Sequence, residues 1–183
     1  LVSVIVGIVL TLPISSAAVC AALSLTGLAG GAAVAGCCAQ MVGFAVCTYR
    51  ENKMNGLVSI GLGTSMLLVP NLMSKPILWL PPTLAAAVTG PIATCIFNLQ
   101  MNGSPISSGM GTSGLVGPIG VVTGWFTPSE AALNAGASAI APGAMDWIGL
   151  VLICFVLPAA LALLFSEIMR KQGWIKEGDY KLV

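Results

Sequence analysis

Histidine is absent from this chain of 183 residues. Without it there is no imidazole base, no imidazole metal ligand and no phosphohistidine. Charge is scarce as well. Seven Lys+Arg and six Asp+Glu amount to 7% of the chain, where a soluble domain carries about 25%. Leu1 to Tyr49 holds no charged residue, and neither does Pro76 to Ser129. Water cannot be the main solvent of such a surface, so a soluble enzyme and a secreted scaffold are excluded. The net charge of +1 gives a polyanion nothing to hold, so nucleic acid is no partner. The six cysteines, Cys20, Cys37, Cys38, Cys47, Cys95 and Cys154, form no Cys-x-x-Cys pair and lie in apolar runs. They read as small buried hydrophobes with free thiols. Neither catalysis nor a cofactor nor a bound metal is expected.

Apolar length is what the sequence has in its place. With 57% hydrophobic residues, the solvent it suits is a lipid bilayer, in which backbone groups must pair inside the protein. The cleanest span is 28–49, where small residues recur every fourth position as Gly27/Gly31/Ala35 and Ala39/Gly43. Such rows let helices approach closely in lipid and make a homodimer plausible. Gln40 within it reads as an interhelical hydrogen-bonding residue ahead of a site residue. Further apolar segments lie at 1–24, 57–73, 77–99 and 147–169, and most are interrupted by Gly or Pro. Pro13 breaks the first. Pro81-Pro82 and Gly90-Pro91 make 77–99 either one kinked helix or two half-helices. RENKMNG, residues 50–56, reads as a polar loop with an Asn-Gly turn. Trp79, Trp125, Trp147 and Trp174 read as interface anchors. Residues 100–124 are rich in Gly, Ser and Pro but uncharged, the pattern of irregular backbone held inside protein at membrane depth. The fold expected is an all-α integral membrane protein. It is a multi-span bundle with discontinuous helices and re-entrant Gly/Ser/Pro-rich hairpins over 1–169, and a polar tail over 170–183.

Arg170, Lys171, Lys176 and Lys181 follow the last span, while Glu130 and Asp146 with no base precede it. The excess of bases puts the C-terminus in the cytoplasm, and with it the loop of Arg50 and Lys53. An even number of crossings must then separate residue 53 from residue 170. The segments 57–73, 77–99 and 147–169 give three, so either 100–146 supplies an odd crossing or one of the three is re-entrant. Leu1 opens inside an apolar run with no charged region before it. Further membrane segments are therefore expected upstream, as an N-terminal half of the same chain.

The breaks repeat. Pro13-Ile14-Ser15-Ser16 returns as Pro105-Ile106-Ser107-Ser108. Gly61-x-Gly63-Thr64-Ser65-x-Leu67-x-x-Pro70 returns as Gly109-x-Gly111-Thr112-Ser113-x-Leu115-x-x-Pro118, with six identities over ten positions. Repeats of this kind build transporters around a site at the bilayer midplane. Glycine lets a solute meet bare backbone, Ser and Thr hydroxyls both donate and accept, and proline frees backbone groups by ending the helix. The candidate solute-binding residues are therefore Gly63, Thr64, Ser65, Gly111, Thr112, Ser113 and Gly114. Asn98, Gln100 and Asn102 join them, because their amides either read solute hydroxyls or cap a helix end. No charge lies among these residues, which suits a neutral polyol or sugar, or a cation held by carbonyls.

The stretches GCCAQMVGFAV (36–46), GLGTSMLLVPN (61–71), PPTLAAAVTGPIA (81–93), SSGMGTSGLVGPIG (107–120) and FSEIMRKQGWIKEGD (165–179) resemble the phosphotransferase-system EIIC-like membrane proteins, a group that includes perfringolysin-regulator-type members. The resemblance covers nearly the whole chain. It implies a sugar permease in a bacterial cytoplasmic membrane. The expected activity is the passage of a small neutral polar solute, a carbohydrate. The alternatives are a membrane sensor or regulator that keeps the permease fold without transport, and an ion-coupled carrier.

Overall fold

The computed structural model describes residues 1–182 and is mostly helical, with no strand among them. Ten helices follow in order: α1 Val2–Thr11, α2 Ser16–Ala22, α3 Gly27–Cys47, α4 Tyr49–Val58, α5 Ser65–Ser74, α6 Pro76–Ile96, α7 Pro105–Ser108, α8 Ser113–Phe126, α9 Glu130–Asn134 and α10 Ala144–Lys171. Only α3, α6 and α10 are long and apolar enough to cross a bilayer, at 21, 21 and 28 residues. At about 1.5 Å per residue, 21 residues span the hydrocarbon thickness of about 30 Å.

Helix α3 is the axis, packed by α1, α6 and α10. Its glycines explain why it can be surrounded. A Cβ on Gly36 would collide with the carbonyl oxygen of Ser3 in α1, and a Cβ on Gly43 would stand 3.0 Å from Pro82 of α6 and 3.1 Å from Ala162 of α10. The fourfold spacing of small residues thus faces neighbouring helices, as van der Waals packing in lipid requires. Gln40 donates from Nε2 to Thr83 Oγ1 across α3 and α6 at 3.1 Å, which makes it an interhelical residue. Five of the six cysteines are buried and all are free thiols.

Residues 77–99 resolve to one helix. Pro81 and Pro82 stand at the start of the α-helical part of α6, Leu80 onward, after a tighter 3-10 turn at Pro76–Trp79, and Pro91 keeps helical backbone angles before a widened turn at Ile92–Ile96. A similar widened turn at Leu152–Val156 precedes Pro158 in α10.

Two expectations change. Residues 50–56 are helical, and the break falls at Lys53 with φ 52° instead of at Asn55-Gly56. The side chain of Asn52 is bound to the C-terminal tail, donating to Tyr180 O at 2.7 Å and accepting from Leu182 N at 2.9 Å. Residues 57–73 are not a span. A widened turn at Ser59–Gly63 and extended Thr64 divide the segment. It then returns to where it started, for Asn71 donates to Asp179 O and Lys181 O, and Lys75 pairs with Asp179. Between residue 53 and residue 170, α6 and α10 are the two helices long and apolar enough to cross a bilayer.

Ordering the crossings sorts the charges. Arg50, Lys53, Lys75, Arg170, Lys171, Lys176 and Lys181 all stand at the end of the bundle where α3 and α10 finish and α6 begins. Glu130 and Asp146 stand at the other end with no base beside them. The tail packs back onto the charged end. Tyr180 is fully buried and donates to Leu78 O, and the Arg170 guanidinium lies over its ring. Arg170 also pairs with Glu51 at 2.8 Å.

Candidate functional site

Two hairpins enter the bundle from opposite ends. One runs from α4 through Ser59–Gly63 to α5 and returns to the charged end. The other leaves Met101, which is bridged to Gly27 at the start of α3. It passes α7 and returns along α8, so that Gly120 and Gly124 face Met101 and Asn102. Its tip is Gly109–Gly114, of which Gly109, Gly111 and Thr112 are buried. Gly111 adopts φ +53° and rests on Cys37, and a Cβ there would stand 2.8 Å from the Cys37 carbonyl carbon. Only glycine combines that backbone angle with that approach.

The tips meet through the recurring Gly-x-Gly-Thr-Ser motif. Thr112 Oγ1 donates to Gly61 O at 2.5 Å, and Ser113 Oγ donates to Gly63 O at 2.8 Å. The first break of the chain closes the group: Thr11 Oγ1 and Ser65 Oγ are 3.0 Å apart, and Ser16 Oγ donates to Gly109 O at 2.6 Å. Three breaks, all marked by Pro and Ser or Thr, therefore converge and satisfy one another's backbone. Beside them is a cavity of about 170 Å³ lined by Ser15, Ser16, Gly63, Thr64, Ser113 and Met41 among others, with no charged residue. Met41 lies 14 residues from the start of α3 and six from its end. That is about 21 Å from the uncharged end and 9 Å from the charged one. The cavity is thus nearer the charged end, while Gly111 at the tip rests on Cys37, ten residues from either end of α3.

Within this group the residues differ in what they offer. Thr112 and Ser65 are buried and engaged with protein partners. Gly63 and Gly114 are exposed, and Thr64 and Ser113 are half-buried. Thr64 Oγ1 accepts from Met66 N and so starts the short helix after it.

The amides are elsewhere. Asn98, Gln100 and Asn102 line a second cavity, of about 350 Å³, at the uncharged end, together with Phe97, Trp125, Ser138 and Asp146. The loop that carries them crosses the start of α3 at Gly31, whose missing side chain admits the Leu99 carbonyl. Trp125 is buried and meets Trp147 edge-to-face, centroids 5.0 Å apart. It is a wall of the cavity instead of an interface anchor. Sequence reasoning missed Thr11 and Ser16, which the Pro-Ile-Ser-Ser repeat could have signalled. It also missed Trp125, Ser138 and Asp146, whose approach to the amides has no local signal.

A family model described as "Phosphotransferase system, EIIC" matches residues 1–182. No curated protein and no solved structure matches the chain.

Proposed function

Because this chain belongs to the phosphotransferase system EIIC family, a family of sugar-transporting membrane permeases, we propose that it moves a small neutral carbohydrate past the meeting point of its two hairpin tips. The observation that carries this reading is the pair of hydrogen bonds from Thr112 to Gly61 O and from Ser113 to Gly63 O. Each couples a hydroxyl on one hairpin to a carbonyl on the other, so each is a bond that a solute hydroxyl can replace. A polyol that enters beside Thr64 and Ser113 donates to Gly63 O and accepts from the released Ser113 hydroxyl. With a second solute hydroxyl taking over the Thr112–Gly61 bond in the same way, the tips part without leaving a buried polar group unpaired, which is the condition for moving apart at membrane depth. The lack of charge in the lining favours a neutral solute, because a charged one would need an intramembrane partner.

The hairpins enter from opposite ends, so displacing one or the other opens the site to one side at a time. That is alternating access about a fixed site. The side bearing all seven bases is the cytoplasmic one in this reading.

Flux of radiolabelled monosaccharides and polyols into liposomes holding the purified protein tests it. Thr112→Val with Ser113→Ala abolishes flux while detergent-resistant insertion and helicity persist. Thr64→Ala, which leaves the Thr112–Gly61 and Ser113–Gly63 hydrogen bonds intact, lowers the apparent affinity. Flux that is unchanged in both variants removes the tips from the pathway. No flux in the unmodified protein, with a partner protein captured in its place, supports the regulator alternative.

A further inference from the structure

The amide-lined cavity at the uncharged end is not explained by the tips. We infer that it is a second, separate binding site for a neutral polyhydroxyl solute, a capture site at the mouth of the protein opposite the charged tail.

Four observations carry this. The volume of about 350 Å³ falls in the range of small-molecule sites, about 300–1,000 Å³, whereas the cavity at the tips holds about half of that. The lining combines an indole wall, Trp125, with convergent hydrogen-bonding groups from three separate parts of the chain: Asn98, Gln100 and Asn102 after α6, Ser138 in the loop after α9, and Asp146 in the first turn of α10. A sugar ring presents both chemistries that such a lining reads, hydroxyls at its edge and an apolar C–H face. The third observation is an orphan. Asn102 is 3% exposed, and its Oδ1 is buried with no partner, while its Nδ2 donates to Gln100 Oε1 at 3.3 Å. A buried acceptor left unpaired is unfavourable, so an incoming hydroxyl that rearranges the Gln100–Asn102 pair has a partner waiting. The fourth is construction. Asn98 holds φ 47°, outside the usual range for a side-chain-bearing residue. The Asn102 carbonyl accepts from Ser129 N at 2.9 Å, and Ser129 Oγ donates to Gly103 O at 2.8 Å. The loop is therefore held in shape by backbone pairing, which leaves its amide side chains free of structural duty apart from the one Gln100–Asn102 contact.

The carboxylate of Asp146 fits the same solute. One of its oxygens, Oδ2, accepts from Gly143 N at 2.8 Å, and a carboxylate takes further donors. Among the described residues no base stands at this end, so an anionic solute finds no countercharge. The site shares with the hairpin tips only the class of solute; it stands whether or not the tips conduct.

Intrinsic tryptophan emission reads it directly. With Trp79→Phe and Trp174→Phe, the remaining indoles are Trp125 in the cavity wall and Trp147 against it. Titration of the full purified chain with D-glucose, D-mannitol and maltose gives a saturable change in emission for at least one of them. The half-saturation point rises about tenfold or more, about 1.4 kcal/mol, in Gln100→Ala and in Asp146→Asn, which keeps the cap on α10. It is unmoved by Thr112→Val with Ser113→Ala. No saturable change with any of the three sugars up to about 100 mM, two decades above a millimolar dissociation constant, overturns the assignment. A response lost in the tip variant and retained in Gln100→Ala and Asp146→Asn overturns it too, and places binding at the tips alone. If the doubly substituted background does not fold, thermal stabilisation of the unsubstituted chain by the same sugars takes its place. Its loss in Gln100→Ala and Asp146→Asn supports the site, and its persistence in both overturns it.

Discussion

Gly36 shows how far a single residue decides packing here. Its Cα hydrogen faces the Ser3 carbonyl, and nothing larger fits. Gly36→Ala forces α1 away from α3, at a cost of about 1–3 kcal/mol for overpacking a close contact. A lower melting temperature in detergent checks it. Arg170 and Glu51 are the other decisive pair. Their side chains are 10% and 4% exposed, in contrast to the Arg50–Glu167 pair at 60% and 38%. Exposure sets the energy. Arg170→Met strands a buried carboxylate and destabilises by about 3–5 kcal/mol, whereas Arg170→Met with Glu51→Leu loses much less. Arg50→Met changes stability by about 0–1 kcal/mol. Melting curves of the three variants separate these outcomes. Both charged pairs were visible in the sequence as residues, but their partners lie more than a hundred positions apart, and no local pattern couples them.

At the scale of elements, the hairpins are the parts whose relative movement the proposed function needs. Ser113 Oγ and the Gly63 carbonyl are 2.8 Å apart, so cysteines introduced as Gly63→Cys and Ser113→Cys are within reach of a short bis-methanethiosulfonate reagent, which joins the two tips through reducible disulfides. Cross-linking is expected to stop solute flux, and reduction to restore it; flux that survives complete cross-linking shows that the tips need not part. The exposed Cys95 is replaced by Ser in that background, while the five buried cysteines stay. The recurrence of Gly-x-Gly-Thr-Ser was legible in the sequence, and so was the idea that its two copies face each other. Where along α3 they meet depended on packing, with Gly111 seated on Cys37 and Met41 lining the cavity beside the tips. Residues 57–73 show the limit of hydropathy. They are apolar enough to be counted as a span, yet the widened turn at Ser59–Gly63 and the hold of the tail on Asn71 and Lys75 send the chain back.

For the whole molecule, the segregation of charge predicts orientation and a response to pH. Cysteine labelling with a membrane-impermeant reagent is expected to modify Ser138→Cys from outside intact cells and Lys176→Cys only after the membrane is opened. The reverse pattern inverts the topology. The tail is held at the charged end by Asp179. Partial burial pushes its carboxyl pKa up, but hydrogen bonds from Lys75 and from Lys176 N, with the charges of both lysines, outweigh that and hold it below the usual carboxylate value of about 3.9. A depressed carboxyl contributes stability that is present in full above its unfolded pKa and is lost as the pH falls through the folded one. The tail is thus expected to stay docked at neutral pH and to loosen only in strong acid, below about pH 4. Proteolysis at Lys176 and Lys181 as a function of pH measures this, and Asp179→Asn removes the dependence.

The sequence by itself determined the solvent, the helical class, the apolar stretches that become α3, α6 and α10, and the uncharged Gly-Thr-Ser motif, because hydropathy, charge and helix-breaking residues act where they stand. A run of 21 apolar residues needs no partner to prefer lipid. The tertiary structure decided the rest. It turned 57–73 into a hairpin, drew Thr11 and Ser16 to the tips, and moved Asn98, Gln100 and Asn102 away from them to Trp125 and Asp146. Those outcomes depend on where distant backbone segments can come within hydrogen-bonding reach, and that is set by close approaches such as Gly31 to Leu99 and Gly111 to Cys37, which exist only once the helices have packed.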